Sequence, residues 1–239
     1  MRSRAVSVLS TAFIFACASL GRAQVTNSNS GPSRFSFGVD GVLSQPKSEF
    51  ANNVGNGFGL NVNGKYNLDY KGYLSIRADG GGLEYGREHK DASFFGITGR
   101  VDLNLETTNS IFWGSIGPQI MIPDGAFRPY ANAAISLTDF STSSSLSDSF
   151  GQELASNQNA NDFSHAWIFG GGFQIPVGSG GGIDLGARYY YGGRATYLTK
   201  GDITDNPDGS ITINPRNSKT DMVLWQIGFS FAIPRSTSH

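Results

Sequence analysis

Charged side chains recur at alternate positions within several regular stretches of this chain. Lys65, Arg77, Asp79, Arg100, Asp102, Glu106, Asp184 and Arg188 all fall on the polar side of an alternating pattern. Arg77 stands with Asp79, Arg100 with Asp102, and Asp184 with Arg188, each pair on one face of a strand. Opposite charges placed this way could serve two ends. Buried in a narrow interior they must pair, and they then stiffen it. In a wider tube the same groups would line a path that selects small solutes. The first arrangement is the one expected here, because eight strands leave an interior just wide enough for side chains to fill.

Three histidines, His89, His165 and His239, offer a different chemistry. A histidine titrates near neutral pH and can act as a general base. His89 shares a polar stretch with Asp91, and His165 closes another, so either could sit at the rim of a hydrolase. No serine lies in a nucleophile motif, and the chain is not expected to be an enzyme. The run from Asp202 through Asp205 and Asp208 to Gly209 collects oxygen ligands. It lacks the later Glu of a twelve-residue calcium loop, and Pro207-Asp208-Gly209 reads as a hairpin tip. The glycines of 178–182 are followed by no Lys-Ser/Thr pair and no helix, so they form a turn rather than a phosphate cradle. Neither a metal nor a cofactor is expected. A net charge of −1 favours neither nucleic acid nor an anionic surface as partner.

The elements that must carry these groups are strands. In residues 58–69, Phe58, Leu60, Val62, Tyr66 and Leu68 share one face, while Asn61, Asn63, Lys65, Asn67 and Asp69 share the other. Residues 95–106, 183–192 and 223–233 repeat the scheme, and 34–44, 73–85, 111–121, 128–140 and 166–177 complete nine candidates. At roughly 10–13 residues they exceed the ~5–6 usual in soluble sheets and suit a tilted membrane strand. Glycines 80–82 and 170–172 lie inside strand patterns and mark bends or close backbone approach. Tyr189, Tyr191, Trp225, Phe229 and Phe231 suit an interfacial girdle.

The connections bear on strand number. Residues 69–72, 107–110 and 178–182 read as short turns, and 45–57, 141–164 and 197–220 as long polar loops, with 86–94 of middle length. Counted from each terminus, the short–long alternation disagrees by one strand at 111–127. An odd number of crossings would put the termini on opposite sides, so either one candidate does not span or a tenth strand hides in a loop. The expected fold is all-β, an antiparallel up-and-down transmembrane β-barrel of eight strands, with ten as the alternative.

Residues 1–23 read as a secretory signal peptide. Arg2 and Arg4 precede an apolar run over 5–20, and Gly21-Arg22-Ala23 sets small residues for a cut between Ala23 and Gln24. The single cysteine, Cys17, lies inside that run, so the mature chain would hold no disulfide and no thiolate site. Residues 24–33 form a polar leader, 34–234 the barrel and 235–239 a tail.

The pattern resembles the small opacity/OmpA-like outer-membrane barrels, a porin-family-like group. The stretch Gly114-Ser-Ile-Gly-Pro-Gln-Ile-Met121 followed by Arg128-Pro129-Tyr130 resembles their central strand–turn–strand. Residues 183–190 resemble their penultimate strand, and Trp225-Gln-Ile-Gly-Phe-Ser-Phe231 their closing one. Such families commonly end on an aromatic residue; here Pro234 and a polar tail follow Phe231. The resemblance implies a monomeric integral protein of the cell outer membrane, surrounded by lipid and inserted by the barrel-assembly machinery. Three roles stay open on sequence: a structural or surface-interaction barrel, a narrow channel, and a rim hydrolase. A secreted soluble β-barrel binder is the non-membrane alternative.

Overall fold

A computed structural model describes residues 33–96, 99–148, 153–178, 180–205 and 211–233. The expected signal peptide with its Ala23–Gln24 junction, the expected leader up to residue 32, and the expected tail lie outside them. Twelve strands follow in chain order: β1 (Phe35–Pro46), β2 (Gly57–Asn67), β3 (Leu74–Gly96), β4 (Gly99–Met121), β5 (Arg128–Asp148), β6 (Glu153–Val177), β7 (Gly181–Gly192), β8 (Arg194–Tyr197), β9 (Ile203–Asp205), β10 (Ile211–Ile213), β11 (Arg216–Lys219) and β12 (Met222–Ala232). One short helix, α1 (Ser48–Ala51), follows β1.

Among the described residues eight of these strands close an antiparallel barrel in the order β1-β12-β7-β6-β5-β4-β3-β2. Strands β1 to β7 each pair with the next in the chain, β7 pairs with β12, and β12 returns to β1 over Ser36↔Ala232 to Pro46↔Met222. Closure leaves no sheet edge in the wall, so each ladder group there has a partner on the adjacent strand. The remaining short strands form two small hairpins, β8 with β11 and β9 with β10, at the long-loop end.

The expected disagreement at 111–127 has a simple cause. Residues 95–106 and 111–121 are not two strands: Phe95 and Gly96 end β3, and residues 99–106 and 111–121 belong to the single strand β4. The expected turn at 107–110 is continuous ladder, with Thr107 opposite Ser144 and Ser110 opposite Ser141. Thr-Thr-Asn-Ser has the composition of a turn, but β3 and β5 on either side supply every ladder partner, and tertiary pairing overrides that local preference. The true turn lies after β4, where Gly125 takes a φ of 94°. The expected loops shorten in the same way: 86–94 belongs to β3, and much of 141–164 to β5 and β6.

The wall is inverted relative to a soluble barrel. Phe58, Leu137 and Phe163 are each 70 % exposed, and Leu60, Ile116, Phe173, Ile227 and Phe229 stand outward beside them. Each large apolar side chain held in water forgoes about 1.5–3 kcal/mol. A contiguous belt of them exceeds the few hundred Å² that soluble monomers expose. In a bilayer the same belt is matched to its solvent. The 11-residue strand β2 and the 12-residue β7, tilted as barrel strands are, reach roughly 25–30 Å, the height of a hydrocarbon core.

Strands β3 to β6 are longer, at 23, 23, 21 and 25 residues. Pairing of β2 with β3 ends at Phe58↔Glu84, and that of β6 with β7 at Ala166↔Gly192. Beyond these points the four strands continue as a sheet of their own. Its polar pairs include Thr107 Oγ1 and Ser144 Oγ at 2.8 Å and a bidentate Arg87–Glu84 contact.

Candidate functional site

Alternation along each wall strand sends every second residue into the lumen, and the lumen has two layers. The layer nearer the short turns is polar. Lys65, Arg77 and Arg188 meet Asp40, Asp79 and Asp184, three cations against three carboxylates, all buried. Asp79 is the hub. It accepts from Arg77 Nε at 2.9 Å, Arg77 Nη2 reaches it at 2.8 Å, and Arg188 Nη2 reaches it from the far wall at 3.0 Å. Asn61 donates to Asp79 at 3.1 Å and to Asp40 at 2.9 Å, and Asn63 also donates to Asp40. Trp113 Nε1 donates to Asn61 at 3.2 Å. Asp184 accepts the Tyr130 hydroxyl at 2.6 Å and lies 4.0 Å from Lys65 Nζ.

Equal and opposite charge makes this layer neutral without an added ion, as a desolvated interior requires. Tyr130 also fills space: its hydroxyl lies where a Cβ at Gly172 or Gly186 would be, so those two glycines leave room for the ring. Not every group is paired; Asp40 Oδ1, Asn63 Oδ1 and Ser115 Oγ have no partner among the described residues.

The layer nearer the long loops is apolar. Val42, Leu83, Ile111, Trp113, Ile168 and Leu224 line it, and all are buried. Above them α1 inserts Phe50, which meets Tyr197 edge-on at 5.2 Å and Phe140 edge-on at 6.0 Å. Tyr85 donates its hydroxyl to the Leu198 carbonyl at 3.0 Å. The segment after β7 therefore folds over the barrel mouth. Asp202 pins it by accepting from the Thr199 N–H and hydroxyl, both at 2.9 Å, and from Arg216 Nε at 3.0 Å.

The structure sorts the expected residues. Arg77 and Asp79 lie in contact on β3. Asp184 and Arg188 do not pair with each other. Four residues along a strand separate them by about 13 Å, and each instead meets residues of other strands, Asp184 meeting Lys65 on β2 and Tyr130 on β5, and Arg188 meeting Asp79 on β3 across the lumen. The side chains of Arg100 and Asp102 lie outside the described residues. Glu106 sits on the protruding part of β4 and meets Arg87 at 2.9 Å.

His89 is not in a loop but on β3, opposite Glu106. His165 is exposed on the outer face of β6 between Phe163 and Trp167. Asp202, expected in a turn, spends its carboxylate on Thr199 and Arg216, and Asp208 lies outside the described residues. The girdle residues Tyr191, Trp225, Phe229 and Phe231 are 54, 51, 61 and 44 % exposed on the wall, with Tyr189 partly covered.

Sequence reading missed Asp40, Tyr130 and Phe50 as lumen residues. Asp40 carried a signal, since it alternates with Gly38, Val42 and Ser44 in β1. Phe50 carried none: it is a lone aromatic in a polar stretch.

No protein-family model matches the chain, and no curated protein matches it in sequence. Among solved structures it is similar to Neisserial surface protein A, at 16 % identity over 85 % of this chain and 99 % of that one, with a TM-score of 0.46. It is similar to the outer membrane protein OprG from Pseudomonas aeruginosa, at 14 % identity over 86 % and 98 %, with a TM-score of 0.47. It is also similar to a major outer membrane protein from Thermus thermophilus, at 15 % identity over 83 % and 99 %, with a TM-score of 0.43.

Proposed function

We propose that this chain is an integral outer-membrane β-barrel whose work is done at its surface and not through its lumen. The observation that carries this reading is the inversion of the wall: apolar side chains face out around a closed barrel, while the inside holds a neutral, mutually paired set of charges. Only a closed barrel satisfies its backbone in lipid without helices. The lumen is filled at two levels, by Tyr130 with the ion pairs and by Phe50 with its aromatic neighbours. That filling favours a structural or surface-interaction role over a channel for small solutes. The sheet of β3 to β6 then stands outside the membrane, with polar side chains such as Arg87, Glu84, Thr107 and Ser144 among its described residues. The chain works as a monomer, placed by the barrel-assembly machinery after export. The dispersal of His89 and His165, one on a strand face and one on the outer wall, gives no support to a rim hydrolase.

The test is electrophoretic mobility with and without boiling, on outer membranes from cells expressing the full chain. A band that shifts on boiling is expected. Recovery in the soluble periplasm or medium with no shift would refute the membrane reading and point to a soluble binder. Planar-bilayer recording on the purified barrel then separates the roles: no resolved conductance steps are expected, and regular steps would favour the channel.

A further inference from the structure

On the outer wall β6 and β7 pair Trp167 with Tyr191 and Phe169 with Tyr189. These four aromatics line a groove of about 570 Å³. Tyr189 and Tyr191 have ring centroids 4.4 Å apart, and Phe169 meets Tyr191 edge-on at 6.0 Å. Trp167, Phe169 and Tyr191 are each more than half exposed. The last β6–β7 pair is Ala166↔Gly192, so the groove lies at the upper end of the β6–β7 ladder, with Phe163 the next outward apolar side chain above it on β6. There β7 stops while β6 continues to Glu153. The groove is thus the foot of a step, open to lipid below and flanked by protein above.

Its upper rim is polar. Ser48 and Asp221 both lie near the Tyr189 phenol. Asp221 Oδ1 also accepts from the Gly192 N–H at 3.1 Å. His165 stands exposed two residues above Trp167 on the same face.

We propose that this groove seats a lipid with a sugar headgroup from the surrounding leaflet, an assignment that rests on the membrane reading above. At belt level the occupant of an outward groove is lipid. The Phe169 end takes acyl chain. At the rim, exposed ring faces beside a carboxylate and a hydroxyl suit a sugar, whose C–H face packs on an aromatic ring while its hydroxyls reach polar atoms. A phosphate headgroup fits worse, because the nearby carboxylate of Asp221 repels it. Arg194, which could have offset that repulsion, is engaged by Glu49 at 3.3 Å and by Asn217 at 3.0 Å.

The experiment titrates full-length protein in mild detergent with glucosyl diacylglycerol or with phosphatidylglycerol, reading bound lipid by mass spectrometry of the intact complex. Each preparation is first checked for the mobility shift on boiling; absence of the shift in the unaltered protein refutes the barrel reading itself, not the groove. The sugar lipid is expected to bind at least tenfold more tightly than phosphatidylglycerol. Trp167→Ala and Tyr191→Ala should each weaken it at least tenfold, and Trp167→Phe should restore most of the loss. Trp225→Ala, on the same wall outside the groove, should change it less than twofold. Equal binding of the two lipids, an unaffected Trp167→Ala, or an equal loss in Trp225→Ala would overturn the proposal. If Trp167→Ala does not fold, Tyr191→Leu and Trp167→Phe carry the same comparison.

Discussion

Arg188 reaches across the lumen from β7 to place Nη2 3.0 Å from Asp79 on β3, two strands that are not neighbours in the wall. Asp79 is also held by Arg77, so one carboxylate is shared by two guanidiniums. Removing it leaves both cations buried with too little countercharge. Asp79→Ala is expected to destabilise the barrel by about 3–5 kcal/mol, the range for stranding one side of a buried pair. Replacing Asp79 and Arg188 together should cost less than the sum of the two single changes, because their interaction is lost only once. Urea unfolding of the barrel in lipid vesicles checks both expectations; additive losses would show that the cross-lumen contact contributes nothing.

Two glycines that face the Tyr130 hydroxyl should respond differently to the same change. A methyl at Gly186 meets chiefly the ends of side chains, Tyr130 and Gln226, whereas one at Gly172 also runs into the Leu185 carbonyl of the adjacent backbone. Gly172→Ala is expected to cost about 1–3 kcal/mol, the usual range for overpacking, and Gly186→Ala distinctly less. Tyr130→Phe removes the donor to Asp184 and the acceptor of Gln226. It should cost about 1–3 kcal/mol by leaving buried polar groups unsatisfied. The same vesicle unfolding ranks the three variants.

The alternation of apolar and polar residues made the barrel legible, because lipid outside and packed polar groups inside impose a strict period of two on each spanning strand. Lys65, Arg77, Asp79, Asp184 and Arg188 were legible as lumen charges for that reason. Their partners were not. Pairing across the lumen depends on which strands face each other and at what height, and no single strand carries that information. The eight wall strands match the expected number, but the count of nine candidates went astray at Thr107–Ser110 for a related reason: turn-forming residues fit in a ladder when both flanking strands extend beside them. Phe50 shows the same limit from the other side, since its burial comes from α1 folding back over the mouth.

Phe50 is 1 % exposed and packs against Tyr85, Phe140 and Tyr197. Phe50→Ala should cost the cap about 3–5 kcal/mol, as other buried Phe truncations do. The wall ladders do not depend on this side chain, so the mobility shift on boiling should persist. The expected change is local: faster proteolysis within residues 193–221 of the otherwise intact barrel. Loss of the shift would mean that the cap holds the barrel closed.

The Asp202 clasp gives the same segment a pH dependence whose sign can be worked out. Burial pushes the Asp202 carboxyl up, but hydrogen bonds from Arg216 and from the Thr199 N–H and hydroxyl outweigh it and hold it below the ordinary value of 3.8. The folded segment thus binds this proton more weakly than the unfolded one. Its contribution is fully present above 3.8 and is lost as pH falls through the lower folded value. Protection of the backbone amides around Thr199 and Asp202 against hydrogen exchange, corrected for intrinsic rates, should stay level from about pH 8 to about pH 5 and fall only below the ordinary carboxylate range. Asp202→Asn should show the loosened segment already at about pH 7, with exchange in β7 and β12 unchanged. Loosening of the unaltered protein between about pH 6 and 7 would assign the switch to another group.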